Sequence, residues 1–501
     1  MRKVQNIKEG SLAKDYTTYS ALVPSVVNFQ NESESLKKDL KDTTIWMINS
    51  TEQGGGVAEM LPRLISLLRQ AGIRAEWLVL ESDRQEFFAL TKKLHNLIHG
   101  AGDPHLSEEE RQVFEEVNRQ NADQLRKMVS PGDIVVVHDP QPAPLIQMLG
   151  EDLDLTTIWR CHIGLDHQND QTCAAWGFLK PYLRYYDHFV FSTPEYIPDY
   201  LSGNVSIIYP SIDPLTHKNR QLSVHKLSGI LADAGLVRSQ HPKIAKSFGN
   251  QAKIYTREGT FVNASEAPDI GLLFRPIIAQ VSRWDRLKGF SELMQAFVHL
   301  KENYETLTKD HEQAKARARN ARLVLCGPDP DYVSDDPEGV EVLNELTEFY
   351  DNLPDSVSND IIICKLPMES VKENALIVNA IQRSAYLICQ NSLQEGFGLT
   401  ATEGMWKSTP MLASNACGLR HQVRHKIDGM ITRHPQAKEE LAEAMAYLLG
   451  EPKLVEQMGF NAQKRVVNNF LVFSHVLNWL RLFKELQEKK MNGFYKPDFS
   501  K

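Results

Sequence analysis

The sequence predicts an α/β protein built from two doubly wound parallel-sheet domains that face each other across a cleft. Three observations predict it. Short apolar runs of strand length recur along the chain, as expected for strands buried on both faces. Amphipathic helical patterns separate many of these runs. The runs also fall into two series, parted by the polar stretch 217–269, so one chain carries two sheets.

In the first series the expected strands are Thr43–Asn49, Glu76–Glu81, Asp133–His138, Thr156–His162, Asp187–Ser192 and Val205–Tyr209. Gly54, Gly55 and Gly56 follow the first strand and open a helix whose apolar face is Val57, Met60, Leu61, Leu64, Leu67 and Leu68. Pro62 lacks a backbone donor, which predicts a helix starting near Glu59 or a loose first turn. Residues 83–129, rich in Glu, Arg, Gln and Lys, read as exposed helices. The second series is Pro276–Val281, Ala321–Gly327, Asp360–Lys365, Ala385–Gln390, Pro410–Ser414 and Gly429–Thr432. Phe290, Leu293, Ala296, Phe297 and Leu300 share one helical face, and so do Val371, Ala375, Val378 and Ile381. A last helix, Phe473–Lys490, carries the stripe Val476, Leu477, Leu480, Leu482, Phe483 and Leu486. The expected division is 1–265, 266–470 and a terminal segment 471–501, with 217–269 as insertion and linker.

A chain of 501 residues has room for two or three domains with full cores. Its net charge of −8 argues against a nucleic-acid surface, which needs a basic face. No apolar stretch reaches the ~18 residues of a membrane span, and the N-terminus lacks the apolar core of a signal peptide. Cys161, Cys173, Cys326, Cys364, Cys389 and Cys417 are scattered, without C-x-x-C spacing. They read as small core residues in a reducing cytoplasm, neither disulfides nor a metal site. Small molecules are the expected partners, without nucleic acid or integral membrane association; a homodimer is compatible with the sequence.

The most informative segment is Glu395-Gly-Phe-Gly-Leu-Thr-Ala-Thr-Glu403, between the run 385–390 and a helical pattern 400–407. Gly396 and Gly398 let backbone approach a ligand at a strand-to-helix turn, where the N–H groups of Phe397, Gly398 and Leu399 suit an anion. Glu395 and Glu403 repel phosphate, so their partners are hydroxyls; phosphate with hydroxyls means a sugar phosphate or nucleotide sugar. Arg283 and Lys288 follow the strand 276–281, at the edge where ligands bind in open α/β sheets, and suit a diphosphate.

In the first series, His138-Asp139-Pro140-Gln141 and Trp159-Arg160-Cys161-His162-Ile163-Gly164 end two strands. Arg160 and His162 share strand parity, and a histidine at a strand's C-terminal end can touch a ligand. Asp166, His167 and Asp170 match no specific metal spacing and read as a hydrogen-bonding loop. Gly418–Val423 steers the sugar, closes the cleft or simply starts a helix, and is left unassigned. The glycine loop also admits a nicotinamide-dinucleotide site, with Glu81 ending the second strand, but the third glycine of G-x-G-x-x-G is missing.

These residues resemble the retaining family-four glycosyltransferases of GT-B fold, whose motifs include an E-x7-E segment, a diphosphate-binding Arg/Lys pair and a glycine loop. The ordered set narrows the resemblance to the trehalose-forming branch, the trehalose glycosyltransferring synthases and retaining trehalose phosphorylases. It comprises Gly55–Met60, His138–Pro142, Trp159–Ile163, Asp335–Gly339, Val378–Ser384 and Glu395–Lys407. The resemblance implies two Rossmann-like domains and glucosyl transfer with retention, with no metal or other cofactor. It implies that Glu403 holds the donor ribose and Glu395 binds hydroxyls of the transferred glucose. Arg283 and Lys288 then neutralise the departing phosphate, and His162 lies near the reacting carbon. Gly55, Gly56 and Gly396–Leu399 become donor-binding, and Asp139, Arg160 and Asp166 fall on the acceptor side. The final helix is expected to cross back onto the first domain. The sequence departs from the pattern at Gly164, where relatives carry an acidic residue, and in the length of 217–269; both bear on the acceptor.

The expected activity is therefore transfer of glucose from a nucleotide-diphosphate sugar to a sugar acceptor, with glucose as acceptor giving trehalose. A phosphorylase exchanging trehalose with phosphate uses the same phosphate seat, and these motifs do not separate the two. A sugar-nucleotide sensor and a nicotinamide-dependent oxidoreductase rank lower.

Overall fold

The computed structural model describes residues 1–5, 7, 13–52, 56–150, 152–201, 203–238, 248–308, 311–332 and 337–491. The chain divides into two units, Met1–Ser211 with Asn469–Lys501, and Ile212–Asn468.

The first unit holds strands β1 (Arg2–Lys3), β2 (Thr44–Asn49), β3 (Arg74–Val79), β4 (Ile134–His138), β5 (Thr156–Cys161), β6 (His188–Phe191) and β7 (Val205–Ile207). Their order is β1-β3-β2-β4-β5-β6-β7, parallel except for the short β1, which runs antiparallel to β3. Central strands are mostly apolar because helices cover both faces; Ile45, Met47, Val135, Val136 and Ile158 are fully buried. The order reverses between β2 and β4, and a ligand crevice lies outside the strand ends at such a switch.

Three readings of this half change. The helix after β2 runs Gly56–Gln70 with Pro62 inside it, so it starts before Glu59. Gly54 and Gly55 lie outside the described residues. Residues 83–129 fold as helices Gln85–Ile98 and Glu108–Leu125, but they are not simply exposed. Phe87, Leu90, Leu94, Phe114 and Val117 are buried, and the polar composition had masked that stripe. The helix Val23–Lys37, absent from the sequence reading, packs against the last helix, Val472–Met491.

The second unit holds β8 (Lys253–Tyr255), β9 (Phe261–Asn263), β10 (Ile277–Val281), β11 (Arg322–Pro328), β12 (Ile361–Leu366), β13 (Leu387–Gln390), β14 (Met411–Ser414) and β15 (Gly429–Thr432). Their order is β15-β14-β13-β10-β11-β12-β8-β9, parallel from β15 to β12. The β8–β9 hairpin adds antiparallel to β12 through Cys364↔Ile254 and Lys365↔Lys253. The division falls at Ser211 where 265 was expected, so the described residues of the polar stretch belong with the second unit, and the β8–β9 hairpin among them joins its sheet. Here the order reverses between β10 and β13, which places the loops 282–289 and 391–398 side by side.

Candidate active site

The loops after β10 and β13 are stitched together by backbone-directed bonds. Leu393 N donates to Leu287 O at 2.8 Å, Gln280 Nε2 donates to Lys288 O at 2.8 Å, and Asn391 N donates to Gln280 Oε1 at 3.1 Å. Asp285 caps the turn Arg286–Lys288 by accepting from Leu287 N at 2.8 Å. These bonds fix where Lys288 points. Its ammonium meets Glu395 Oε2 at 2.7 Å, and the hydroxyl of Ser392 donates to the same oxygen at 3.1 Å. Both charged side chains are mostly enclosed, at 17% and 11% exposure.

Gly398 has φ +83°, a left-handed backbone that begins the helix Leu399–Trp406. A Cβ there would sit 2.9 Å from Glu395 Cγ and 2.9 Å from Leu419 Cδ2. The turn is held from behind by Gln422, whose side-chain amide donates to the carbonyls of Phe397, Gly398 and Gly418 and whose oxygen accepts from Thr402. This gives Gly418–Val423 a structural part: its helix, Cys417–Gln422, braces the Gly396–Leu399 turn. Phe397 is buried, and Gly396 and Leu399 complete the loop.

Glu403 lies one turn into the Leu399–Trp406 helix and is buried. Its Oε1 pairs with Lys218 at 3.1 Å, whereas Oε2 is buried with no hydrogen-bond partner among the described residues. Lys407, four residues on and equally buried, donates to Glu403 O at 3.0 Å and Asn219 Oδ1 at 3.3 Å. Burial brings the Lys407 ammonium down to about 7, with Glu403 opposing and Arg383 and Lys218 adding to the shift. Asn379, Arg383 and Trp406 all donate to carbonyls of residues 217–220 and lock that segment beside Glu403. Sequence reasoning missed Lys218 and Asn219, which carry no local signal. Lys407 was legible, since i,i+4 spacing puts it on the face of Glu403.

The structure thus brings Lys288, Glu395, Ser392 and the Gly396–Leu399 turn together, with Glu403 on the helix that follows. Arg283 is different. Its guanidinium bonds Asp285 at 3.3 Å and its side chain is 65% exposed, against 17% for Lys288.

In the first unit the loops after β4 and β5 meet. Asp139 adopts φ +65°, and three bonds hold it there. Its N–H donates to Arg160 O at 2.7 Å, its carbonyl accepts from Trp159 Nε1 at 3.0 Å, and Oδ1 accepts from His162 N at 2.9 Å. Burial raises the Asp139 carboxyl to about 6. His138 Nδ1 and His162 Nε2 are 3.0 Å apart, so one of the rings carries the shared proton and each fixes the other's orientation. The rings stack at 11° with centroids 5.3 Å apart. Burial, then the Arg160 charge, depress the His138 imidazole to about 3, and the same causes hold His162 well below the ordinary histidine value. From the last helix, His475 Nδ1 donates to Tyr209 O at 2.8 Å while Nε2 accepts from Trp479. Those bonds require the neutral ring, in accord with a pKa brought to about 4, chiefly by burial.

Arg160, expected on the acceptor side, has no exposed surface, and its guanidinium donates to Ile208 O at 2.7 Å and Ser192 Oγ at 3.3 Å. Arg160 therefore does not reach solvent, and its Nε and Nη1 are buried with no hydrogen-bond partner among the described residues. Asp166 is on the surface, 3.1 Å from His167 Nδ1. It lines a cavity of about 320 Å³ with Gln168, Trp176, Glu195, Tyr196 and Asp199. The departure at Gly164 has a steric reason, because a Cβ there would lie 2.2 Å from the Tyr196 ring. Asp335 and Asp336 of the quoted motifs lie outside the described residues.

Residues 47–198 match the family model described as "Trehalose synthase, N-terminal domain", and residues 273–465 match "Glycosyl transferases group 1". The chain is 33% identical over 452 residues to a trehalose synthase of Pyrococcus horikoshii, covering 89% of this chain and 91% of the relative. It is 32% identical to a trehalose synthase of Rubrobacter xylanophilus, covering 91% and 93%. It is 24% identical to a trehalose phosphorylase of Pleurotus sajor-caju, where the match covers 92% of this chain but 60% of the relative. Among solved structures, a trehalose 6-phosphate synthase from Burkholderia multivorans aligns with TM-score 0.61 at 15% identity, over 90% of this chain and 99% of that one. At that identity the likeness speaks for the fold alone.

Proposed function

We propose, from the premise that this chain belongs to the trehalose synthase family of retaining GT-B glycosyltransferases, that it moves a glucosyl unit from a nucleotide-diphosphate sugar to glucose and forms trehalose. The observation that carries the proposal is the Lys288–Glu395 contact at 2.7 Å beside the left-handed turn at Gly398, followed one helical turn later by the buried, half-unpaired carboxylate of Glu403. A phosphate fits the turn and the ammonium, and a vicinal diol fits the open oxygen of Glu403. A nucleotide sugar has both groups.

In the proposed reaction the bond between the glucosyl anomeric carbon and the diphosphate oxygen breaks. The acceptor hydroxyl bonds to the same face of that carbon, and its proton passes to the leaving phosphate oxygen. Lys288, Arg283 and the N–H groups of the Gly396–Leu399 turn stabilise charge on the leaving group as it develops. Glu395, held by Lys288 and Ser392, accepts hydrogen bonds from the transferred sugar. Gly55 and Gly56 are assigned to the donor phosphates, His162 to the transferred sugar, and Asp139 and Asp166 to the acceptor. The cations come from the protein, so the reaction is assigned no metal. No helix among the described residues is long and apolar enough to cross a membrane, and the free cysteines fit a reducing cytoplasm.

Product analysis tests the reading: the protein is supplied with several nucleotide glucoses and glucose, and in parallel with trehalose and inorganic phosphate. Trehalose formed only with a nucleotide donor supports it. Glucose 1-phosphate released from trehalose without nucleotide defeats it in favour of phosphorolysis.

A further inference from the structure

At the edge of the second sheet where β10, β11 and β12 begin lies a cavity of about 560 Å³. Parallel strands start at one edge, and a five-residue strand advances roughly 17 Å. The hollow is therefore on the far side of the sheet from the loops that carry Lys288 and Glu395. Its walls include Arg275, Lys301, Arg319, Tyr304, Ser356 and Asp360.

Charge is unevenly matched there. The single carboxylate of Asp360 serves three cations: Arg275 at 3.0 Å and Arg322 at 3.4 Å on Oδ1, and Lys301 at 2.7 Å on Oδ2. These cations are 25%, 17% and 6% exposed, so solvent offsets little of their charge. Lys301 also donates to the carbonyls of Ala318, Arg319 and Ala321 and is fully engaged. Arg275 gives Asp360 one nitrogen, Nη1, and Arg322 gives it Nε while Nη1 goes to Asp269 O. Arg319 stands exposed on the rim, opposed by the equally exposed Glu302. Positive charge exceeds negative along the wall of the hollow, and the Asp360 carboxylate is shared among three cations.

We propose that this cavity is a second anion site, for a small phosphate monoester gripped between the guanidinium groups of Arg275 and Arg319. Planar guanidinium pairs suit phosphate oxygens. Tyr304, Asn320 and Ser356 supply polar contacts for a hydroxyl-bearing body, and the volume suits a molecule of sugar-phosphate size. Burial holds the Lys301 ammonium below the usual lysine range; Asp360 opposes the shift, and the Arg275 and Arg322 charges add to it. Nothing in this inference depends on which sugar is transferred.

The test is titration of the full chain with inorganic phosphate and glycerol 3-phosphate, followed by calorimetry and by thermal stabilisation. Sodium chloride at matched ionic strength is the control. Lys288→Ala removes the anion contact of the active site, Arg319→Ala removes an exposed wall of the distal one, and Arg275→Gln removes the inner one. Lys288→Ala should lose the active-site share of phosphate binding and keep the distal share, and that remaining binding should weaken by ~10-fold or more when Arg319→Ala is added. Should Arg275→Gln fail to fold, Arg319→Ala decides alone. Binding lost in Lys288→Ala but intact in Arg319→Ala would overturn the proposal, as would stabilisation no greater than that given by chloride.

Discussion

Removing the Lys288 ammonium separates catalysis from structure at the centre of the proposed site. In the native chain Lys288 Nζ lies 2.7 Å from Glu395 Oε2, and the two side chains are 17% and 11% exposed. Lys288→Ala leaves an enclosed carboxylate with Ser392 Oγ at 3.1 Å on the same oxygen. Loss of a charged partner at such a site costs about 1–3 kcal/mol of stability. If the same ammonium also meets the leaving phosphate, turnover falls by a further and separate amount. One preorganised donor is worth ~100-fold to 1000-fold in kcat, about 2.7–4 kcal/mol. The double variant Lys288→Ala with Glu395→Gln removes the stranded charge, so it should recover most of the lost stability while turnover stays at least ~100-fold down. The assay is initial-rate sugar transfer with nucleotide release, paired with denaturant unfolding of each variant. Near-normal turnover in Lys288→Ala, or turnover that recovers in step with stability in the double variant, would refute the role given to Lys288.

Three further outcomes are expected. Gly398→Ala forces a side chain into a backbone of φ +83° and against Glu395 and Leu419, so it should lose about 1–2 kcal/mol of stability and raise the donor KM; unchanged unfolding and KM would show that the turn tolerates a Cβ. Burial lowers Lys407 to about 7 from 10.5, so the folded chain sheds this proton more readily than the unfolded chain. Its contribution to stability is therefore present above pH 10.5 and lost as pH falls through 7, and Tm measured from pH 7 to 10 should rise more steeply in the native chain than in Lys407→Met. His138→Gln removes the ring 3.0 Å from His162 Nε2 and should cut turnover by ~10-fold to 100-fold through misplacement of His162, at little cost in donor KM; a purely structural role would instead lower Tm and leave the rate per folded molecule unchanged.

The two sheets and the left-handed turn at Gly398 were determined by the sequence alone, because each is a local property. A run such as Ile277–Val281 is a strand at a sheet centre for its apolar continuity, and Gly398 is legible since few other residues accept its backbone. Tertiary structure decided what depends on distant partners. The β8–β9 hairpin joins the second sheet through residues more than a hundred positions away, so no local period assigned it. Lys218 reaches Glu403, and His475 reaches Tyr209, across chain separations that leave no pattern in either segment. Arg160 and His162 have the same strand parity, yet one is sealed in the interior and the other half-buried at the strand end. Alternation tells which face a side chain leaves from, and packing above that face decides whether it meets water. Asp360, ordinary in sequence, becomes the shared partner of three cations only when three parallel strands begin side by side.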